Sequence, residues 1–235
     1  MDASAFIAPA VVAAAVSAFV TIAGFFVSRS TSLMMHGQRL DTDRELTERK
    51  VNADIALAEK KVALDRALAA WTRNTELAEQ ILAAFYEARD IIEDARSPAG
   101  FGDEGSTRRI EPGESESDTR ALNSYFRTTE RLNAKQEFFG ALAAKRHRFV
   151  ALFGMAGLQP YEELFRIRNE INVSVQMLII THRQREQGSL PEDRRKWEAT
   201  MGWGMPESDK ISPRLDQVID AIEPICKPVI QDVAT

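Results

Sequence analysis

Apolar and polar positions run through four patterns along the chain. From Ala3 to Ser28 no side chain is charged, and the run Ala5 to Val27 is dominated by Ala, Val, Phe and Ile. At 1.5 Å per residue such a run reaches about 34 Å, enough for a bilayer's hydrocarbon core of roughly 30 Å. Residues 5–28 are therefore expected to form a transmembrane helix behind a short tail, residues 1–4. Pro9 and Gly24 are tolerable in such a helix. A cleaved signal peptide would need a basic segment before the apolar run, and only Asp2 is charged there.

Between Leu33 and Arg96 there is no proline and one glycine, Gly37, while Ala, Leu, Glu, Lys, Arg and Asp dominate. Residues 29–96 are read as a long helical stalk. Leu57, Leu64, Trp71, Ala78, Phe85 and Ile92 recur every seven residues, with Lys61, Leu68, Thr75, Leu82 and Arg89 as the companion column. Only the first column is uniformly apolar, which makes a partial coiled coil. Leu57, Leu64, Trp71, Phe85 and Ile92 are the candidate residues for weak homo-oligomerisation. The competing arrangement packs the same stripe on Phe139, Phe149 and Ile171 of its own chain. From Arg39 to Arg66 seven basic and seven acidic residues alternate, as on a solvated face.

The third pattern is a break. Residues 97–117 hold Pro98, Gly100, Gly102, Gly105, Pro112 and Gly113 among acidic residues, and are expected to be a flexible loop. Helical spacing then resumes, and residues 118–235 are read as a helical domain. One helix is predicted from Asp118 to Phe153. Pro160 opens the next, with the stripe Leu164, Ile167, Ile171, Val175, Leu178 on one face and Gly188 as its stop. Ser189 to Glu192 has capping-box spacing, and Ser212 with Pro213 starts a final helix that Pro224 and Pro228 should kink or end. No window alternates with period two, so the fold class is all-α: a transmembrane helix, a long charged helix and a helical bundle.

Charge decides orientation and excludes one class of partner. No cation precedes the apolar run, whereas Arg29, Arg39 and Arg44 follow it, which places the C-terminal domain in the cytoplasm and the N-terminus outside. A net charge of -5 argues against nucleic acid, which requires an excess of Lys and Arg. Cys226 is the only cysteine, so no internal disulfide exists. His36, His147 and His182 are scattered, and none belongs to an H-E-x-x-H run. G-x-S-x-G, G-x-G-x-x-G and P-loop motifs are also missing. No catalytic, cofactor-binding or metal-binding residue is assigned, no cofactor is expected, and a non-enzymatic role is.

Two segments nevertheless stand out as interaction candidates. Phe101 sits among glycines ahead of Arg108 and Arg109, where an aromatic must dock on the domain or serve a partner. Trp197 and Trp203 flank a glycine turn beside Arg194 and Arg195, and tryptophan and arginine are enriched at interfaces. The stretches ARSPAGFGDEGSTR, LFRIRNEINVSVQMLI and WEATMGWG, with the anchor and charged helix before them, resemble an uncharacterised family of single-pass, coiled-coil-containing bacterial membrane proteins. That resemblance implies a bacterial inner membrane and supplies no activity. The expected function is a membrane-anchored cytoplasmic interaction or scaffold protein, held by the bilayer through residues 5–28 and serving an unidentified cytoplasmic protein partner. The alternatives are a tethered sensor or effector with a ligand-responsive loop, or an enzyme with an unfamiliar site.

Overall fold

The computed structural model describes the backbone of residues 4–184 and 191–231 and the side chains of residues 14–184 and 192–231. Among these residues there are six α-helices and no strand: α1 Ser4–Arg96, α2 Glu116–Ala134, α3 Gln136–Phe153, α4 Leu158–Arg183, α5 Pro191–Thr200 and α6 Ser212–Gln231. The chain divides into two compact units, Met1–Leu68 and Ala69–Thr235.

The described part of the first unit is helix alone. Its described side chains are exposed throughout except for Gly37, which is half-buried. Within its apolar part Phe19, Val20, Phe25, Phe26 and Val27 are each more than half exposed, and α1 is long and apolar enough to cross a membrane. The polar side chains there are served by the helix itself: Thr21 donates to the Ser17 carbonyl at 2.7 Å and Thr31 to that of Val27 at 2.9 Å. A hydroxyl bonded back one turn needs no partner from the surroundings.

The second unit has two apolar clusters that share α4. Tyr161, Leu164, Ile167 and Ile171 face the larger one, with Leu77, Ala78, Ile81, Phe85, Ala88, Ile92 and Ala95 of α1, Leu132 of α2, three residues of α3 and the stripe Leu215, Val218, Ile219, Ile222 of α6. Val175, Leu178 and Ile179 face the smaller one, with Leu122 and Tyr125 of α2 and Met201. The α4 stripe expected from the sequence is thus buried from end to end, its first half in one cluster and its second in the other.

The heptad column of α1 divides between the units. Phe85 and Ile92 are 0 % exposed in the core of their own chain, so neither can serve a second copy without opening the domain. Leu57 and Leu64, in the first unit, are 69 % and 70 % exposed, and Trp71 is half-buried. The final turns are anchored by Arg96. Its guanidinium donates to the Ala199 and Thr200 carbonyls closing α5, at 3.2 and 2.9 Å, and to Asp209 Oδ1 ahead of α6 at 2.6 Å. A planar fork with five donors suits such a junction of a carboxylate and two helix-end carbonyls.

Several helix ends differ from the sequence reading, each for a local reason. The helix predicted from Asp118 to Phe153 breaks at Lys135 (φ -105°, ψ 18°), which lets α2 and α3 pack on α4 separately. It also begins earlier, at Glu116, because Ser115 Oγ accepts the Asp118 N–H at 3.1 Å. Pro160 is the third residue of α4, since a 3-10 turn, Met155–Gly157, leads into that helix. Asp209, not Ser212, caps α6: its Oδ1 accepts from the Ile211 N–H at 2.9 Å and the Ser212 N–H at 3.4 Å. The helix α6 runs through Pro224 and Pro228 to Gln231. The carbonyls deprived of partners belong to Asp220 and Pro224, both on the exposed side, where water can replace the lost bond. Gly188 and Ser189 lie outside the described residues.

Candidate functional site

The two segments singled out in the sequence meet on opposite sides of α2. Asn123, Arg127, Glu130 and Arg131, spaced by four, three and one, present one face to the loop that follows α1. Asp118, Leu122 and Tyr125 present the other to α4 and to the tryptophan segment.

The loop is cross-tied by charged side chains. Arg131 donates to Glu104 Oε1 and Oε2 at 3.1 and 2.7 Å and to the carbonyls of Asp94, Ser97 and Ala99 at 2.9, 3.3 and 2.9 Å. Glu130 accepts from the Gly105 N–H and, at 2.5 Å, from the Thr107 hydroxyl. Arg108 is 7 % exposed and grips Glu114 with two nitrogens, at 2.9 and 2.6 Å, while reaching Asn123 Oδ1 at 3.2 Å. Arg183 of α4 adds a third bond to Glu114 at 3.1 Å. The bonds from Arg108 outweigh the opposing effect of burial, and the Glu114 carboxyl is held down to about 2. The same logic lowers Glu104, through Arg131. Gly105 has φ +83°, and a Cβ there would lie 2.0 Å from the Asn123 carbonyl oxygen, so this close approach to α2 requires glycine.

On the other face, Trp203 packs with its centroid 5.4 Å from that of Tyr125, and the Arg127 guanidinium lies 5.7 Å from the Trp203 ring. Trp197 is half-buried against the same cluster. Arg194 donates to Glu198 at 2.9 Å and to the Tyr125 hydroxyl at 3.0 Å. Gly202 (φ +92°) sits where a Cβ would come within 2.3 Å of the Arg96 carbonyl oxygen, which sets the corner against the end of α1.

Of the residues flagged from sequence, Arg108, Trp197, Trp203 and Arg194 are therefore engaged with their own domain. Phe101, Arg109 and Arg195 point to solvent, and Phe101 is 81 % exposed. Phe101 is thus not docked on the domain, whereas the loop around it is pinned. Ile110 (57 %) and Met205 (77 %) are the other exposed apolar side chains of these segments. The residues organising both faces, Arg127, Glu130, Arg131 and Tyr125, escape sequence reading. Their only signal is a pair of arginines four apart on a predicted helix, next to a loop rich in acids.

The chemistry available here is that of paired charges. His182 Nε2 lies 3.0 Å from Asp118 Oδ1, with the imidazole 4 % exposed and closed to a substrate. Its Nδ1, Arg127 Nε and Trp203 Nε1 are enclosed without a hydrogen-bond partner. Among the described residues no group of three His, Cys, Asp or Glu is placed to hold a metal ion. Cys226 is buried in the larger core, where burial pushes its thiol up to about 11, against thiolate chemistry. The chain matches no family model, and neither a curated protein nor a solved structure matches it.

Proposed function

We propose that this chain is a membrane-tethered helical interaction protein: a single-pass anchor at residues 5–28, oriented with the N-terminus outside, and a cytoplasmic domain that docks a protein partner at a bacterial inner membrane. The observation that carries the reading is the contrast along α1. Its charge-free N-terminal run leaves large apolar side chains exposed, and its last turns close a solid core. Exposed Val, Phe and Ile in such number require lipid or another protein to cover them. Around α2 the domain offers a partner exposed side chains: Phe101, Arg109 and Ile110 on a pinned loop, Arg195 and Met205 at the corner.

Membrane fractionation tests the anchor. The full chain should stay in the pellet after a carbonate wash, and replacing Val16, Val20 and Phe26 with lysine should release it. Extraction of the unaltered chain by carbonate would overturn the proposal. A reporter fused to the C-terminus and active only outside the cytoplasm would overturn the orientation.

A further inference from the structure

The acidic protein carries a concentrated basic run, Lys145-Arg146-His147-Arg148, on a helix whose only acid, Glu137, lies at its opposite end. Several arginines of the second unit are neutralised: Arg96 by Asp209, Arg108 by Glu114, Arg131 by Glu104 and Arg214 by Glu163 and Glu170. The cations of this run are not: among the described residues Lys145 reaches only the Gln80 side-chain oxygen, at 3.2 Å, and Arg146 only His147, at 3.5 Å. Across from this run, Arg73 of α1 spends its Nε on the Ala69 carbonyl at 3.2 Å. Among the described residues Arg73 and Arg148 make no ion pair, although Glu76 and Glu79 follow Arg73 on α1.

The two unpaired arginines stand on opposite walls of an open groove of about 240 Å³, lined by Arg73 and Asn74 of α1 and by Arg148, Ala151 and Leu152 of α3. Its apolar lining is left bare, with Leu152 48 % exposed, and Met155, outside the groove in the turn just beyond the end of α3, is 69 % exposed. Arg148 and Leu152 are four apart on α3, so a basic head and an apolar side chain follow one another along one side of the helix.

We propose that this groove docks an acidic amphipathic helix of a partner protein. The apolar stripe of that helix covers Leu152 and Met155, and its flanking carboxylates pair with Arg73 and Arg148. This inference rests on the interaction reading above and names the chemistry of its partner. Charge complementarity selects the acid, and the apolar lining selects an amphipathic helix over a bare anion. A phosphate or a nucleic-acid backbone would leave Leu152 and Met155 uncovered. A flat lipid surface would meet the rims of the groove and miss its lining.

The test uses the full chain in zwitterionic nanodiscs and a fluorescein-labelled helical peptide with a leucine stripe flanked by glutamates. Fluorescence anisotropy should show saturable binding that weakens with salt and falls by on the order of tenfold or more in the R73E/R148E double variant. The double variant should gain affinity for the same peptide with lysine in place of glutamate. Both arginines are exposed, so an unchanged melting curve will certify the fold. Absence of binding, equal binding of the glutamate and lysine peptides by the unaltered chain, or indifference to the double substitution would overturn the proposal. So would capture of phosphatidylserine vesicles by the unaltered chain that the glutamate peptide fails to displace, since that marks a lipid-facing patch. The outcome is separable from the anchor: a chain retained by membranes that ignores the peptide refutes the groove alone.

Discussion

The last turns of α1 and its first unit carry the same seven-residue recurrence and use it differently. Phe85 and Ile92 are wholly buried in the second unit, whereas Leu57 and Leu64 are about 70 % exposed in the first. What separates them is the set of chain segments available as cover. Around Phe85 the rings of Tyr161 and Phe149 complete an aromatic group, with the Phe85 and Tyr161 centroids 4.9 Å apart and edge to face. A periodic column thus records that a helix has an apolar face, and says nothing about which chain covers it.

The sharpest way to break this comparison is to truncate one residue from each half. Phe85→Ala should cost the domain about 3–5 kcal/mol, the range for emptying a buried aromatic site. Leu64→Ala should stay within about 0.5 kcal/mol, as at ordinary exposed positions. Chemical denaturation of the full chain in detergent, read by tryptophan fluorescence, measures both. Comparable losses would mean that Leu64 is covered within the folded chain.

Next in size is the Arg96 junction. Arg96→Ala removes five hydrogen bonds and leaves Asp209 inside the interface, at a cost of about 2–3 kcal/mol. The same group sets an acid limit. Burial raises the Asp209 carboxyl, but hydrogen bonds from Arg96 and Ser212 overcome that and hold it down to about 2, against an ordinary 3.8. A carboxyl with a depressed folded-state value stabilises fully above its ordinary value and loses that contribution as pH falls through the folded one. Glu114, at about 2 against an ordinary 4.5, behaves likewise. Stability should therefore be level above pH 4.5 and fall between pH 4.5 and about 2. In Arg96→Ala the fall should be shallower. A slope unchanged by that substitution would show that the pairing does not set the Asp209 carboxyl.

How much of this was legible in the sequence follows from the kind of information each feature uses. The stripes of α4 and α6 are local periodicities, and every residue named for them is buried. The charge-free run is a local composition and forms part of a helix long and apolar enough to cross a membrane. The break at Lys135 was invisible, because nothing in Asn-Ala-Lys-Gln forbids a helix and the bend serves tertiary packing. The loop was legible as a loop and illegible in its contacts. Arg127 and Arg131 come from a different helix, and the partners of Arg131 are chiefly backbone carbonyls that no side-chain pattern encodes. The Arg73 and Arg148 groove joins two positions 75 apart in sequence, which only the packing of α3 beside α1 brings together.

The loop supplies a smaller test of the same contrast, between an element read as flexible and one tied at many points. Arg108→Ala removes the bidentate grip on Glu114 and the bond to Asn123, which should raise the local opening equilibrium by about 1–2 kcal/mol. The exposed Arg109 beside it is a ready trypsin site. Cleavage after Arg109 should accelerate roughly five- to thirtyfold in the variant. If the unaltered loop is already the fastest site cut in the second unit, its hydrogen bonds do not hold it closed in solution.

The smallest expected effect lies where the comparison began, on the exposed half of α1. Leu57 and Leu64 form a seam that Lys61 interrupts, and without Phe85 and Ile92 the column available to a second copy shortens to the first unit and the half-buried Trp71. A seam this short gives weak pairing at best, on the order of 1 kcal/mol, or a few-fold in the association constant. Confinement in a membrane raises the effective concentration enough for such pairing to be measured. Energy transfer between donor- and acceptor-labelled chains in vesicles should therefore rise with surface density and fall severalfold in L57E/L64E. The full chain in dilute detergent should stay monomeric with or without the substitutions. The double variant should also keep its melting curve, because neither side chain belongs to a folded core. Transfer that ignores L57E/L64E would show that these leucines only solvate a stalk. A melting curve lowered by the pair would instead place them under cover in the folded chain, and the contrast between the two halves of α1 would fail.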